Sequence, residues 1–542
     1  MVVGIAGEGR AIESEARIYL TGGGRLPRGK VARRMKLLAV SIPAHDANFS
    51  YFDGAQVRYL KLERTRQEKR FTYASLPDWR ADVEKLWGND IDAADDVAFT
   101  IDPAALPPSV GRRLGPDFVR QLAFEQSPAQ RLPQPLCEYL RVRRGWLVSH
   151  HVSHALSTWM LEPRPADVRI VIDGVGDGRP WSVYRTDKLA GAGNIRNGSI
   201  GWGMREAGKL LGIRATHYND IAGKLMGLQS YGKVDQGFLA VLAGFGLEQL
   251  TDLWSPEHWL AYKGSDAAAD ETLLDWAATV HHRQGEVLVQ AFRRFARTGD
   301  LVSYAGGVAQ NVVWNALLRS EWPDIVIPPH SSDEGLSLGS LEWLRRHHGV
   351  ASFSWPGFPF VQQDTRVDPP SAATIDRTVQ LLAAGKVVGW YQGHGEAGPR
   401  ALGNRSILMD ARLADGRDRL NRIKRREHYR PFGASALQED APAQFDGPVD
   451  AFMLYACKVK SAAFPAITHV DGTCRVQAVG EGNEPFRRLL ESFRELTGCP
   501  VLANTSLNVA GRPIAGSPAD ALDLFRDSPL DAMAIGDDLH VR

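Results

Sequence analysis

One pattern limits the fold more than any other: a short three-strand unit that occurs twice. The apolar run Leu37 to Ile42 leads into the alternating run Ala47 to Phe52, and the turn signal Asp53-Gly54 then opens a third run, Gln56 to Leu62. The same grammar returns at Val168 to Ile172, followed by an Asp-Gly pair, a strand near Trp181 to Tyr184, a turn at Asp187 and a third strand. Two such meanders predict a fold built from two equivalent halves. Helical periods at Val308 to Ser320 and Glu334 to Arg346 follow the Gly306-Gly307 pair, so the class is α/β.

A chain of 542 residues exceeds one ordinary core, and two domains are expected. The stretch from His348 to Pro370 is rich in Pro, Phe and Gln without a period, which predicts a linker over 351–371 between domains at 35–350 and 372–542. The second domain should open with a helix and the strand Val387 to Tyr391, and close with a strand at Pro500 to Leu502 and a helix from Pro518 to Phe525. Residues 1–34 are Gly- and Arg-rich without an apolar period, so they read as an extension ahead of a start at Met35.

A net charge of +1 produces no field that would make nucleic acid or an anionic membrane the main partner. No run approaches the roughly 20 apolar residues of a spanning helix. The cysteines Cys137, Cys457, Cys474 and Cys499 show no C-x-x-C spacing, which fits a reducing cytoplasm.

Several segments can carry chemistry. His150 and His154 stand four apart, so on a helix both imidazoles share one face and can hold a metal, whereas His151 points away to a supporting or surface position. Asp173 ends an apolar strand and begins a turn whose glycines, Gly174 and Gly176, let backbone amides approach a phosphate. Asp333 precedes a helix, as an N-cap or a further ligand. Gly223-Lys224 and Gly306-Gly307, the latter followed by Asn311, suit close approach of a nucleotide. In the second domain the loop from Gln392 to Ser406, with Arg400 and Arg405, reads as an anion cradle. Lys424, Arg426 and Arg430 form a basic cluster, and Asn504, Ser506 and Asn508 follow the last strand.

In that order, His45-Asp46, Glu63-Arg64, His150-His151-x-x-His154, Asp173-Gly174-x-Gly176-Asp177, Gly223-Lys224-x-Met226-Gly227, Gly306-Gly307-Val308-Ala309-x-Asn311, Ser332-Asp333-x-Gly335, Gly398-Pro399-Arg400-Ala401-Leu402-Gly403-Asn404-Arg405-Ser406, Arg430-Pro431-Phe432 and Asn504-Thr505-Ser506-x-Asn508 resemble the O-carbamoyltransferases of nodulation and antibiotic tailoring. The resemblance spans nearly all of the chain from Met35. It implies an actin-like, Kae1-type first domain, a duplicated ribonuclease-H-like fold, followed by a YrdC-like α/β domain. Carbamoyl phosphate and ATP would give carbamoyladenylate in the second domain, and the first would pass the carbamoyl group to a hydroxyl of a small molecule, a secondary metabolite or a sugar.

By position, His150, His154, Asp173 and Asp333 match the family's metal ligands, with Fe(II) favoured over Mn(II) or Zn(II), and Mg(II) accompanying ATP. His45 would be the general base. Arg400, Arg405, Lys424 and Arg430 would neutralise the activated anhydride, and Lys224 with the glycines would hold the adenylate phosphate. Ser230-Tyr231 and Leu507 depart from the family's usual residues, as does the opening Ser41 to His45. A homodimer is expected. Acceptor walls are expected at Pro77 to Pro135 and Leu239 to Asp275, where no motif falls. The alternatives are a threonylcarbamoyl-type transferase acting on tRNA, which would want a basic face, and a non-catalytic actin-fold nucleotide-binding module, which leaves the second domain unexplained.

Overall fold

The computed structural model describes residues 35–542 apart from 89–91, 103–105, 122–127, 247–248, 250–251, 265–269 and 354. The amino-terminal extension read from sequence therefore lies outside the described residues.

The first meander is β1 (Leu37–Ile42), β2 (Asn48–Phe52) and β3 (Val57–Lys61), joined by β4 (Asp96–Ile101), β5 (Ala129–Arg131) and β6 (Trp146–Val148). The second is β7 (Val168–Gly176), β8 (Arg179–Arg185) and β9 (Lys188–Ala192), joined by β10 (Val302–Ala305). In the first half the order runs β3-β2-β1-β4, with β4 parallel to β1; in the second it runs β9-β8-β7-β10, with β10 parallel to β7. The shared order is the duplicated ribonuclease-H-like plan of actin-like folds. Alternation along β1 sends Leu38, Val40 and Ile42 into one core and Leu37 and Ala39 into another, so both faces of the first sheet are covered.

Beyond these halves lie β11 (Gln362–Val367), β12 (Val388–Tyr391), β13 (Gly393–Gly395), β14 (Arg405–Asp410), β15 (Gly433–Leu437), β16 (Phe445–Asp446), β17 (Ala456–Val459), β18 (Thr473–Val479), β19 (Val501–Ser506), β20 (Ala532–Ile535) and β21 (Asp538–Val541). A nine-stranded sheet, β16-β17-β18-β15-β19-β14-β12-β20-β21, forms the second domain. Helices Ala372–Ala383, Glu484–Thr497 and Pro518–Asp527 belong to this domain, and apolar residues from all three enter its core.

Three local expectations are corrected. The stretch 351–371 is no plain linker: β11 lies in it, pairs parallel with β3 and antiparallel with β13, and so extends the first domain's sheet. The side-chain amide of Gln362 both accepts from the Lys61 amide (2.9 Å) and donates to the Lys61 carbonyl (3.0 Å), a pairing that hydrophobic periodicity does not reveal. Asp173 does not end its strand either. β7 runs on to Gly176 through a register irregularity after Ile172, and the turn falls at Asp177-Gly178, both at positive φ (53° and 72°), the backbone that an Asp-Gly hairpin favours. Finally, Gly223 and Lys224 sit within the helix Asp220–Leu228, and Asn504 to Ser506 belong to β19 rather than following it.

Candidate active site

Ser149 caps the helix His150–Leu156 by accepting from the Val152 amide, which places His150 and His154 one turn apart with their Nε2 atoms 3.1 Å from each other. Asp173 comes from β7, and Asp333 from the short turn that leads into the helix Leu336–His347. His150 Nε2 lies 3.2 Å from Asp173 Oδ2 and 3.5 Å from Asp333 Oδ1; for His154 Nε2 the corresponding distances are 3.9 and 3.4 Å.

The four donor atoms all fall within 4.8 Å of one another. A tetrahedral ion with bonds of about 2.0–2.1 Å needs donors about 3.3 Å apart, so two imidazoles and two carboxylates here fit a divalent cation. Burial disfavours charge on His150, Asp173 and Asp333, yet the pairing prevails. Asp173 is held down to about 2, largely against burial, by His150 and His154, and Asp333 lies well below the usual carboxylate range through His45 and His150.

Backbone shape explains two of the sequence's glycines. A Cβ at Gly176 would lie 2.3 Å from His150 Cδ2, and one at Gly306, whose φ is 99°, would lie 2.2 Å from the Ile172 carbonyl oxygen. The Gly307 amide donates to Asp173 Oδ1 at 2.8 Å and so turns the other oxygen toward the histidines. His151 is fully buried between Ser182 Oγ (2.8 Å) and the Arg179 carbonyl (2.9 Å), with its pKa pushed down to about 3 by burial and by His150. It is a neutral core histidine rather than a surface group.

Beside the cluster, His45 directs Nδ1 at Asp46 Oδ2 (2.8 Å), with Asp333 Oδ2 at 3.6 Å, so Nδ1 carries the proton and Nε2 is the basic nitrogen. Asp46 also accepts from Arg70 (2.6 Å) and lies 3.3 Å from Lys61 Nζ. Lys61 in turn pairs with Glu334 at 2.6 Å and Glu63 at 3.1 Å. Burial would raise the Asp46 carboxyl, but Arg70 and Lys61 keep it well below its ordinary range.

The second domain supplies the opposite polarity. Arg400, Lys424, Arg426, Arg430 and Arg475 line one cavity, and among the described residues none forms an ion pair with a carboxylate. Burial and mutual repulsion push Arg400 down to about 9 and lower Lys424, Arg426 and Arg475. Lys424 Nζ donates to the Ser506 carbonyl (2.5 Å), Ser506 Oγ (3.1 Å) and Asn508 Oδ1 (2.5 Å). Asn504 Nδ2 bonds Ser435 Oγ at 2.8 Å, while its buried Oδ1 has no partner.

The same cavity, of about 830 Å³, also reaches His45, His150, Asp173, Asp333, Gly174, Gly176, Gly223, Lys224, Gly307 and Asn311. Most of the candidate residues from both domains therefore face one space. Arg405 does not: its fully buried guanidinium pairs with Asp364 (3.1 Å), bonds the carbonyls of Thr365, Gln392, Gly393 and Asn404, and stacks 3.6 Å over Tyr391. It braces the loop instead of facing an anion. Gly306 likewise is absent from the cavity wall.

Lys224 bonds Glu427 and the Arg214 carbonyl, both at 2.5 Å, and so ties the first domain to the second. Asn311 Oδ1 caps the helix Val312–Glu321, and its amide meets His281 Nε2 at 3.0 Å. Among the described residues, the expected acceptor wall at Leu239 to Asp275 contributes nothing to the cavity, and Pro77 to Pro135 contributes Ile101 and Asp102 alone. Arg475 escaped sequence reasoning because one charge in an alternating strand reads as its solvent face.

Among the described residues no helix is long and apolar enough to cross a membrane. Residues 136–341 match the carbamoyltransferase N-terminus profile and residues 379–542 the carbamoyltransferase C-terminus profile. The nodulation protein NolNO of Sinorhizobium fredii is 31% identical over 72% of this chain and 63% of its own length. NolO of Bradyrhizobium diazoefficiens is 29% identical over 72% of this chain and 78% of its own. The 3'-hydroxymethylcephem-O-carbamoyltransferase of Streptomyces clavuligerus is 36% identical over 48% of this chain and 52% of its own. With both profiles matched in order on the two domains that build the shared cavity, the chain belongs to the carbamoyltransferase family.

Proposed function

We propose that this protein is an ATP-dependent O-carbamoyltransferase that moves the carbamoyl group of carbamoyl phosphate to a small-molecule hydroxyl by way of carbamoyladenylate. The observation that carries this reading is the single cavity with unpaired cations at one end and a base beside a His/Asp cluster at the other. Such polarity suits two steps that share a labile intermediate and must keep water away.

At the cationic end, water cleaves carbamoyl phosphate to carbamate and phosphate. A carbamate oxygen then attacks the α-phosphorus of ATP, forming the mixed anhydride and releasing pyrophosphate. Arg400, Arg430 and Arg475 offset the charge on the phosphate oxygens, while Lys424, held by Ser506 and Asn508, is positioned for the same work. This role corresponds to that of a YrdC-like domain.

At the other end, the acceptor oxygen attacks the carbamoyl carbon as His45 Nε2 takes its proton, and AMP leaves. Asp46 fixes the His45 tautomer and stabilises the imidazolium that results. A divalent ion held by His150, His154, Asp173 and Asp333 would supply Lewis acidity to oxygens of the anhydride. Resemblance favours Fe(II) there, with Mg(II) on ATP.

Exchange of labelled pyrophosphate into ATP tests the activation step. It should require carbamoyl phosphate; exchange without it, or release of orthophosphate from ATP alone, rejects the reading.

A further inference from the structure

The strand that follows the base opens with a side chain that neither step uses. Asn48, the first residue of β2, is fully buried and lies behind the cavity wall rather than on it. Its amide makes three bonds there. Nδ2 donates to the Asp46 carbonyl (2.7 Å) and to the Asp333 carbonyl (2.8 Å), and Oδ1 accepts from the Ser337 amide (3.0 Å). Those partners fix which way the amide points, because a flipped group would set its oxygen against two carbonyls.

Both carbonyls belong to groups that act. Asp46, which orients the His45 ring, has φ of 63°, a left-handed backbone that is uncommon outside glycine and persists where its surroundings hold it. Asn48 holds it by the carbonyl, two residues on. At the other end the same amide grips the peptide of Asp333 and one of the free N–H groups in the first turn of the helix Leu336–His347. That helix is itself fixed against the one carrying His150 and His154: a Cβ at Gly339 would lie 1.7 Å from the Ser153 carbonyl oxygen, and Ser340 Oγ lies 2.9 Å from Ser153 Oγ and 2.7 Å from Thr100 Oγ1. The direct approach of His45 Nδ1 to Asp333 Oδ2, at 3.6 Å, is longer than a hydrogen bond, so the tie through the backbone sets their spacing.

We infer that Asn48 is the positioning residue that fixes the base His45 relative to the ligand Asp333, by pinning the backbone of both segments with one side-chain amide. The assignment rests on the reading of His150, His154, Asp173 and Asp333 as a metal site.

Co(II) alone, titrated into the full chain carrying isotope-labelled histidine, tests this without an acceptor. The wild type should take up Co(II) at the cluster and show a single paramagnetically shifted His45 ring signal, identified by its loss in His45→Gln. Asn48→Ala should bind Co(II) about 10- to 100-fold more weakly, the usual cost of deleting a group that holds a metal ligand in place. Its His45 signal should lose shift or split, because base and ion no longer keep one separation. Ser50→Ala is the control: it cuts the Ser50–Ser337 hydroxyl bond (2.7 Å), which ties the same strand to the same helix without reaching Asp46 or Asp333, and it should match the wild type in both readouts. Circular dichroism matching the wild type certifies folding, and Asn48→Ser enters the same comparison where Asn48→Ala does not fold. Wild-type affinity and shift in the Asn48 variant, or an equal loss in Ser50→Ala, overturns the assignment. A wild type that takes up no Co(II) rejects the metal reading itself, and this assignment with it.

Discussion

The two ends of the cavity handle buried charge in opposite ways. Around His45 every charge has a counter-charge: Asp46 with Arg70 and Lys61, Lys61 with Glu334 and Glu63, Arg70 with Asp220. In the second domain Arg400, Arg430 and Arg475 repel one another, and among the described residues no carboxylate comes within ion-pair distance of them; Glu334 and Asp450 act on Arg400 only from further off. A paired network is finished without ligand and holds a geometry; an unpaired one is complete only when an anion arrives. The first end is therefore built to position, and the second to bind.

Variants can break that contrast. Arg400→Ala should show the largest effect, a loss of about 10²- to 10³-fold in pyrophosphate exchange, the usual consequence of deleting one preorganised donor worth about 2–4 kcal/mol. Its unfolding midpoint should hold or rise, because repulsion is relieved; a clear fall would mean that the cations are structural.

Asp46→Asn should act oppositely, costing about 3 kcal/mol of stability in urea because Arg70 and Lys61 lose a shared partner inside the protein. A loss under about 1 kcal/mol would show that this network is no tighter than a surface one.

For His154→Ala we expect metal binding weakened by about 10- to 100-fold, read by elemental analysis after dialysis, with exchange retained and carbamoylated acceptor missing. Unchanged metal content would remove His154 from the cluster, and loss of exchange would merge the two ends into a single site. The smallest effect belongs to Lys224→Ala, about 0.5–1 kcal/mol of stability, since its ammonium is engaged with Glu427. A hundred-fold loss of transfer in that variant would restore the catalytic role that its motif suggests.

How much of this was legible depended on what each residue advertises. The two meanders and the i, i+4 histidine pair follow from periodicity, which is a local property. That Asp173 and Asp333 meet those histidines followed only from resemblance, because nothing local to either aspartate records the other. The interior charges Lys61 and Glu334 were hidden for a physical reason: pattern reading sends charge outward, and only their pairing with each other allows burial. Arg405 misled in the reverse sense. It sits in a Gly-rich loop that resembles an anion cradle, and five oxygens of the protein itself already occupy it. β11 was unreadable because its pairing partners come from both domains and its side chains are mostly polar.

That strand has a consequence for how the molecule unfolds. β11 shares backbone bonds with β3 on one side and β13 on the other, Arg64 adds a bond to the Gly398 carbonyl (2.9 Å), and the Thr365 amide bonds Gly516 (3.0 Å). A hinge at this place would have to tear a ladder before either body could swing. Melting should accordingly be one calorimetric event spanning both halves, and a protease nick near 351–371 should leave the two pieces clinging together through gel filtration.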